Sequence, residues 1–315
     1  MLDLVTLGET MVAFTPNEVG YIRYANSFRK NIAGAESNVA IGISKLGHKS
    51  GWISKIGKDE FGEFIVREIR GEGVDISCVE YSSEYSTGVM FKQVLLGNET
   101  SVLYYRRNSA ASTLSPKDID ENYIINSKIL HISGVTLALS QTCRETINYV
   151  VDIAKEHGVI VSFDPNIRLK LWSKEDARRY LMPILYKSDI VLTGLDEGEI
   201  LLGVSDEKSI IRELLKKGVK QVAVKLGKYG ALVGDDLGIY KIEPRKVTAV
   251  DNIGAGDAFN AGYLSGVIEG KSVEECGNMG CIMGAFAVAS FGDIEGLPSR
   301  EVFDKKISNS SLIYR

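Results

Sequence analysis

The sequence predicts an α/β protein: a mostly parallel central sheet covered by helices, with a small β-layer projecting from it. Two observations carry the first part. Strand-like runs alternate with helical patterns from about residue 30 onward, and each run is apolar over several residues, as strands are when both faces are covered. A third observation carries the projecting layer, because two segments break the alternation. Met11 to Phe28 contains no helix signal, and Thr87 to Arg107 reads as a hairpin.

In chain order, Leu4-Val5-Thr6-Leu7-Gly8 is the first strand, and Ala35–Leu46 the first long helix. The core strands that follow are Ser50–Ile56, Ile129–Ser133, Ile160–Asp164, Ile190–Thr193, Gln221–Lys225 and Ala231–Gly234. Helical stretches between them are Gln141–His157, Lys174–Leu185 and Lys208–Lys217. Val247 to Val250 reads as a short β-branched strand, Ala258 to Leu264 as a helix, and Cys281 to Phe291 as a buried helix rich in Gly and Ala. The hairpin runs from Gly88 to Leu95, turns at Gly97-Asn98-Glu99 and returns from Thr100 to Arg106, a Gly/Asn turn between alternating strands. A sheet exposed on one side needs covering by substrate, by a lid-type closure or by a second subunit. Without a repeat, a low-complexity segment or a Pro/Ser linker, residues 1–315 are expected to form one domain. Segments near 9–28 and 85–108 would be its β-lid.

Composition narrows the function classes. The 315-residue chain carries a formal net charge of -4, which disfavours a dedicated nucleic-acid binder. Cys78, Cys143, Cys276 and Cys281 lack C-x-x-C spacing and are expected to be reduced, mostly buried thiols of a cytoplasmic protein. With only His48, His131 and His157, a histidine-rich metal site is not expected. The chain opens directly on a strand-like run, so no signal peptide is expected. The longest apolar stretch is too short to span a membrane.

The segment Asp251-Asn252-Ile253-Gly254-Ala255-Gly256-Asp257 is the most informative in the chain. Glycines at a turn into a helix let backbone N–H groups approach an anion, and the helix N-terminus adds its positive dipole end. A carboxylate there would repel a phosphate if the loop only held one. It makes chemical sense if Asp257 removes a proton from a hydroxyl while the amides hold the phosphoryl group that the hydroxyl attacks. The alternative is a capped helix start, since Asp is a favoured N-cap. Both readings fit the residues taken alone. Gly254-Ala255-Gly256-Asp257-Ala258-Phe259 lacks the third small residue of a dinucleotide fingerprint and lies far from the N-terminus, which disfavours a dehydrogenase. Gly266-Val267-Ile268-Glu269-Gly270-Lys271-Ser272 is one residue short of a P-loop and follows a helix, so it reads as a helix C-cap.

Two signatures together carry a family resemblance. Asn31-Ile32-Ala33-Gly34-Ala35-Glu36-Ser37-Asn38 resembles the N-terminal signature of the ribokinase-like (PfkB) carbohydrate kinases, and Asp251 to Asp257 resembles their C-terminal one. The resemblance covers essentially the whole chain. It implies a ribokinase-like three-layer α/β/α fold with a β-sheet lid, and ATP-dependent phosphorylation of a small hydroxylated substrate with Mg²⁺. Within the family, Tyr104 to Ser112 and Asp164 to Trp172, with the Gly34/Asn38 region, are most similar to 2-keto-3-deoxygluconate kinases. That substrate is a sugar acid, and an arginine fork suits a carboxylate. Arg106 and Arg168 are placed on it. The resemblance further implies Gly34, Asn38, Tyr104 or Tyr105, Asp257 and Asp293 on the sugar. On ATP it implies Asn166, Arg168, Lys225, Gly227 and Gly230, with Gly254, Ala255, Gly256 and Asp257. Alternation puts the two tyrosines on opposite faces without saying which points inward.

The sequence departs from the family at two positions. Asn252 stands where the signature usually has Thr. Gly194 replaces the Asn of an Asn-x-x-Glu motif, leaving Glu197 to act on Mg²⁺ through water. The expected reaction is phosphorylation at the terminal 6-hydroxyl in sugar-acid catabolism. Asp257 is the base, and the amides of Gly254, Ala255 and Gly256 stabilise the transferring group. The C4 epimer, 2-keto-3-deoxygalactonate, is a possible second substrate. Alternatives are a kinase of the same fold for a neutral sugar or nucleoside, and a non-catalytic sugar- or nucleotide-binding regulator. Retention of Asp257 argues against the regulator. The chain is expected to be a homo-oligomer through the lid, with no nucleic-acid or membrane partner.

Overall fold

The computed structural model describes residues 1–95 and 100–308. Within them, thirteen strands form two sheets. They are β1 (Leu2–Leu7), β2 (Met11–Pro16), β3 (Phe28–Ala33), β4 (Ser50–Gly57), β5 (Val79–Ser82), β6 (Val89–Val94), β7 (Thr100–Tyr105), β8 (Ser127–Ser133), β9 (Ile160–Asp164), β10 (Ile190–Gly194), β11 (Gln221–Lys225), β12 (Ala231–Gly234) and β13 (Ile239–Ile242).

Nine strands make the main sheet, in the order β13-β12-β11-β10-β9-β8-β1-β4-β5. All pair in parallel except at one edge, where β12 runs antiparallel to β11 and β13 to β12. Successive side chains enter different cores: Leu4 and Leu192 belong to one buried cluster, Val5 and Val191 to the other. The first core includes buried residues of helices Ala35–Lys45, Ala255–Ile268 and Val273–Val288. The second includes those of Gln141–Glu156, Lys174–Lys187 and Glu207–Lys216. Double-sided burial gives the three α/β/α layers and explains the continuous apolar strand sequences.

The second sheet has the order β3-β2-β6-β7. Its pairing sorts the side chains by face, because residues directly opposite share one. Met90 lies opposite Tyr104 and Lys92 opposite Val102. Met90, Val102 and Tyr104 join Met11, Ala13 and Ala33 in a small apolar cluster, and Lys92 reaches Asp293 of the main body, so this face looks onto the main sheet. Phe14, Phe28, Phe91 and Tyr105 line the other face in mutual ring contact.

Several expectations need correction. Val247 to Val250 is not a strand. Val250 N–H instead donates to the Val288 carbonyl at 2.7 Å, at the end of helix Val273–Val288, so local β-propensity yields to a helix C-terminus that needs donors. That helix also starts earlier and ends sooner than expected, leaving Phe291 57% exposed. The first projecting segment continues past residue 28, because β3 runs to Ala33. The turn at Gly97-Asn98-Glu99 lies outside the described residues.

Two helices meet unusually closely beside the first core. A Cβ on Gly42 would lie 2.5 Å from the Ala261 Cβ, so helices Ala35–Lys45 and Ala255–Ile268 touch nearly backbone to backbone. One turn before each contact residue stand Asn38 and Asp257. Gly42→Leu should cost about 1–3 kcal/mol through overpacking and separate those two side chains. A urea-unfolding midpoint equal to wild type would refute this account of the contact.

Candidate active site

The loop before helix Ala255–Ile268 is fixed by two local features. The Asp251 carboxylate accepts the Ile253 N–H at 3.1 Å. Gly254 is left-handed at φ 79, and a Cβ there would meet the Asp293 carbonyl oxygen at 2.6 Å, so glycine is required on both counts. Gly254 is the N-cap, which leaves the amides of Ala255, Gly256 and Asp257 without intrahelical acceptors. Asp257 therefore stands inside the first turn and does not cap it. Its Oδ2 accepts the Asn38 Nδ2–H at 2.8 Å, and no hydrogen bond among the described residues engages Oδ1.

On the side of the second sheet, buried polar groups form two clusters. The Asn38 amide also donates to Asp293 at 3.3 Å, and Asp293 receives the Lys92 ammonium at 2.6 Å. The Asn38 Oδ1 is buried without a partner, an acceptor that a substrate hydroxyl would satisfy. Arg106 is 7% exposed and Glu9 3%. Arg106 Nε donates to Glu9 Oε2 at 2.6 Å, and Glu9 also accepts the Ser109 hydroxyl. Tyr104 is the inward tyrosine, its ring centroid 5.4 Å from the Arg106 guanidinium, whereas Tyr105 is 67% exposed on the opposite face. Gly34 starts helix Ala35–Lys45, where a Cβ would clash with Thr10, Glu9 and Ser37.

A cleft of about 1040 Å³ opens on the other side of Asp257. Asn166, Arg168, Glu197, Lys225, Gly254 and Gly256 are among its lining residues. Lys225 is held by Asp164 at 2.7 Å, and Asp164 also accepts from Asn260 at 2.6 Å, so the ammonium is pinned beside the glycine loop. Arg168 is exposed, and its guanidinium makes no hydrogen bond or ion pair within the described residues. Asn166 holds a left-handed backbone at φ 39, which asparagine tolerates. Gly227 and Gly230 do not line the cleft. They shape the turn between β11 and β12, where a Cβ on Gly230 would meet the Ile242 carbonyl at 2.0 Å.

Glu197 is engaged by backbone donors of two neighbouring segments. Its carboxylate accepts the N–H groups of Ile167 at 2.8 Å and Gly194 at 2.7 Å. Among the described residues no cluster of three or more His, Cys, Asp or Glu could hold a metal ion. The donor set fits a Mg²⁺ carried on nucleotide phosphates and completed by water, and does not form an all-protein cage.

Sequence reasoning missed Glu9, Glu36, Lys92, Asp164 and Asn260. Lys92 could have been found from the hairpin, since alternation puts it on the same face as Met90. The other four are ordinary polar residues until the fold buries them.

Burial raises the carboxyl groups that have no cation beside them. Glu36, fully buried with only Thr136 donating at 2.5 Å, is pushed up to about 8 by loss of water. Asp257 is pushed up to about 7, first by burial and then by the charges of Asp164 and Asp293, against the Asn38 hydrogen bond.

Residues 1–300 match the family profile described as pfkB family carbohydrate kinase. The 2-dehydro-3-deoxygluconokinase of Bacillus subtilis is 38% identical over 317 residues, covering 100% of this chain and 98% of that protein. The 5-dehydro-2-deoxygluconokinase of Clostridium perfringens is 32% identical, covering 99% and 94%. Among solved structures, an E. coli protein assigned as ribokinase II, in complex with ATP and Mg²⁺, superposes with a TM-score of 0.91 at 27% identity, covering 98% and 99%.

The Glu36 proton makes a stability prediction. From about pH 4.5 to 8 the folded protein keeps a proton that the unfolded chain releases, so stability falls as pH rises through that window. Glu36→Gln carries the neutral form at every pH. Its melting temperature should exceed wild type at pH 8 and converge with it at pH 5, and a difference independent of pH would exclude this titration.

Proposed function

The chain belongs to the pfkB family of carbohydrate kinases, and from that premise we propose that it uses ATP to phosphorylate 2-keto-3-deoxygluconate at the 6-hydroxyl. The products are the 6-phosphate and ADP. The observation that carries the acid substrate is Arg168, an unpaired guanidinium in the cleft that also contains Asp257. A free arginine fork beside a base suits a molecule with a carboxylate at one end and a hydroxyl at the other. The Bacillus subtilis relative supports this choice. The Clostridium perfringens relative favours a second reading, 5-dehydro-2-deoxygluconate, which also carries a carboxylate.

In the proposed reaction the sugar enters between the second sheet and Asn38 with its carboxylate turned toward Arg168, and ATP occupies the rest of the cleft, along Lys225 and Glu197. The 6-hydroxyl oxygen forms a bond to the γ-phosphorus, the bond from that phosphorus to the β–γ bridging oxygen breaks, and ADP leaves. Asp257 Oδ1 takes the hydroxyl proton while Asn38 holds Oδ2. The free amides of Gly254, Ala255 and Gly256, with that of Asp257, and the Lys225 ammonium face charge on the transferring group. Mg²⁺, when bound with ATP, neutralises phosphate charge. Arg168 holds the carboxylate and so fixes the far end of the sugar acid for in-line attack. Arg106, already neutralised by Glu9, shapes the pocket wall with Tyr104. The reaction would run in the cytoplasm, where ATP is available. Among the described residues no helix is long and apolar enough to cross a membrane.

We also propose that two copies pair through the outer face of the second sheet. Leu103 and Tyr105 stand 44% and 67% exposed there, and Phe91 stacks edge-on against Tyr105 at 5.7 Å. Tyr105→Glu should shift the sedimentation coefficient toward that of a monomer. An unchanged coefficient, or a monomeric wild type, would reject this interface.

Initial rates of ADP release with Mg-ATP should be confined to keto-deoxy sugar acids, with fructose, ribose and adenosine inactive. Arg168→Ala should lower kcat/KM on the acid by roughly 10- to 100-fold, the value of about 1.5–3 kcal/mol for a charged hydrogen bond. Arg106→Ala should disturb stability as well, because it strands Glu9. In wild type kcat/KM should rise through an acid limb near pH 7, where Asp257 loses its proton. Asp257→Asn should lose about 10²–10⁴ in kcat together with that limb. Near-normal turnover by Asp257→Asn would exclude it as the base, and a preference for a neutral sugar would overturn the substrate assignment.

A further inference from the structure

Lys92 is only 4% exposed, a rare state for a lysine. It lies on β6, on the face of the second sheet turned toward the main body, and its partner there is Asp293 at 2.6 Å. Packing does not ask for this charge. Lys92 sits opposite Val102, and the inward cluster around it is apolar. A buried ion pair is often replaceable by apolar side chains without loss of stability, so a charge kept here points to work beyond folding. Asp293 leads directly to the reaction centre, because it shares the Asn38 amide with Asp257, at 3.3 Å and 2.8 Å. A four-membered chain therefore runs from the second sheet to the base: Lys92, Asp293, Asn38, Asp257.

We propose that Lys92 is a positioning residue through which the second sheet controls the base, pairing with Asp293 so that the Asn38 amide is left to Asp257. The proposal rests on the reading of Asp257 as the base. Without the ammonium, Asp293 would be a bare carboxylate in a buried site. It would draw the Asn38 amide toward itself, and its charge would oppose ionisation of Asp257. The other charged groups around Asp257 are Glu36 from helix Ala35–Lys45, Asp164 from β9, Arg168 after β9 and Lys225 from β11. Glu36 is engaged by Thr136, and Asp164 with Lys225 form their own pair. Lys92 is thus the cation that answers Asp293, and the second sheet delivers it. Docking of that sheet and readiness of the base become one event.

The test compares wild type, Lys92→Met, Lys92→Arg and the double variant Lys92→Met/Asp293→Asn, each as the full chain with Mg-ATP and the sugar that wild type turns over best. Lys92→Met should lower kcat/KM by roughly 10- to 100-fold, the scale of a small misplacement of reacting groups. Its acid limb should move up by about one pH unit as Asp293 loses its counter-charge. Lys92→Arg should keep the wild-type limb. A folded Lys92→Met with wild-type kcat/KM and an unmoved limb would overturn the proposal. If Lys92→Met does not fold, the double variant, which leaves no bare carboxylate, must fold; if it also fails, Lys92 serves packing alone. Should wild type prefer a neutral sugar, the substrate reading falls, while the acid limbs measured on that sugar still decide the role of Lys92.

Discussion

Negative charge concentrated where the main sheet ends is the constraint that organises this protein. Glu9, Glu36, Asp164, Glu197 and Asp293 are all largely withdrawn from water or surrounded by protein, and Asp257 stands among them. A carboxylate in such a place must find a cation, find donors or keep its proton. Glu9 takes Arg106, Asp164 takes Lys225 and Asp293 takes Lys92. Glu36, Glu197 and Asp257 have no cation of their own, and burial raises all three. The sorting also separates roles. Paired carboxylates place cations, whereas Asp257 keeps an oxygen uncommitted and a proton affinity near neutrality, which a general base requires.

The sheet order decides where this charge collects. β1 has β4 on one side and β8 on the other, so the chain winds away from β1 in both directions, and crevices form outside the strand ends at such a reversal. Glu9 follows β1, Asp164 ends β9, Gly194 ends β10 and Lys225 ends β11. These residues come from distant parts of the chain because parallel strands all present their C-terminal ends on one edge. The second sheet rises from the same edge, leaving after β1 and returning after β3 and β7. Helix Ala255–Ile268 then brings its N-terminus against helix Ala35–Lys45, and the near backbone contact at Gly42 sets the reach of Asn38 to Asp257.

The legible part of the site was the part written in short strings. The turn at Gly254 needs a left-handed residue and a close approach in one place, so its glycine stands out. Asn38 and Asp257 lie in the two signature segments. The unread part consists of pairs between residues far apart in sequence: Lys92 and Asp293 are 201 positions apart, Arg106 and Glu9 97. Arg106 and Asp293 stand out only through the family resemblance and Lys92 and Glu9 do not stand out at all, so only the sheet order shows that they meet. Element reading failed for the same reason at Val247 to Val250. There the residues favour a strand, but no sheet edge takes them and the end of a helix accepts their donors. Strands β9, β11 and β12 matched their expected limits because two-sided burial imposes a continuous apolar run that local sequence displays.

The two arginines expected to act together are physically unlike. Arg106 is buried and faces an acid that cancels its charge, so a substrate carboxylate arriving there would have to compete with Glu9 at 2.6 Å. Arg168 has its full hydrogen-bonding fork available in the cleft. Recognition of an anion depends on uncompensated positive charge, because a guanidinium already paired in a low-dielectric site has little further attraction to offer. The arrangement therefore divides the work. Glu9 and Arg106 tie the base of the second sheet to the end of β1, whereas the Arg168 guanidinium stays uncompensated in the cleft. A fold with an acid-rich edge would otherwise repel an anionic sugar and an anionic nucleotide alike. Buried Arg106 and Lys92 and half-buried Lys225 neutralise the acids they pair with, which leaves the unpaired fork of Arg168 and the open end of helix Ala255–Ile268 as the uncompensated positive groups beside Asp257.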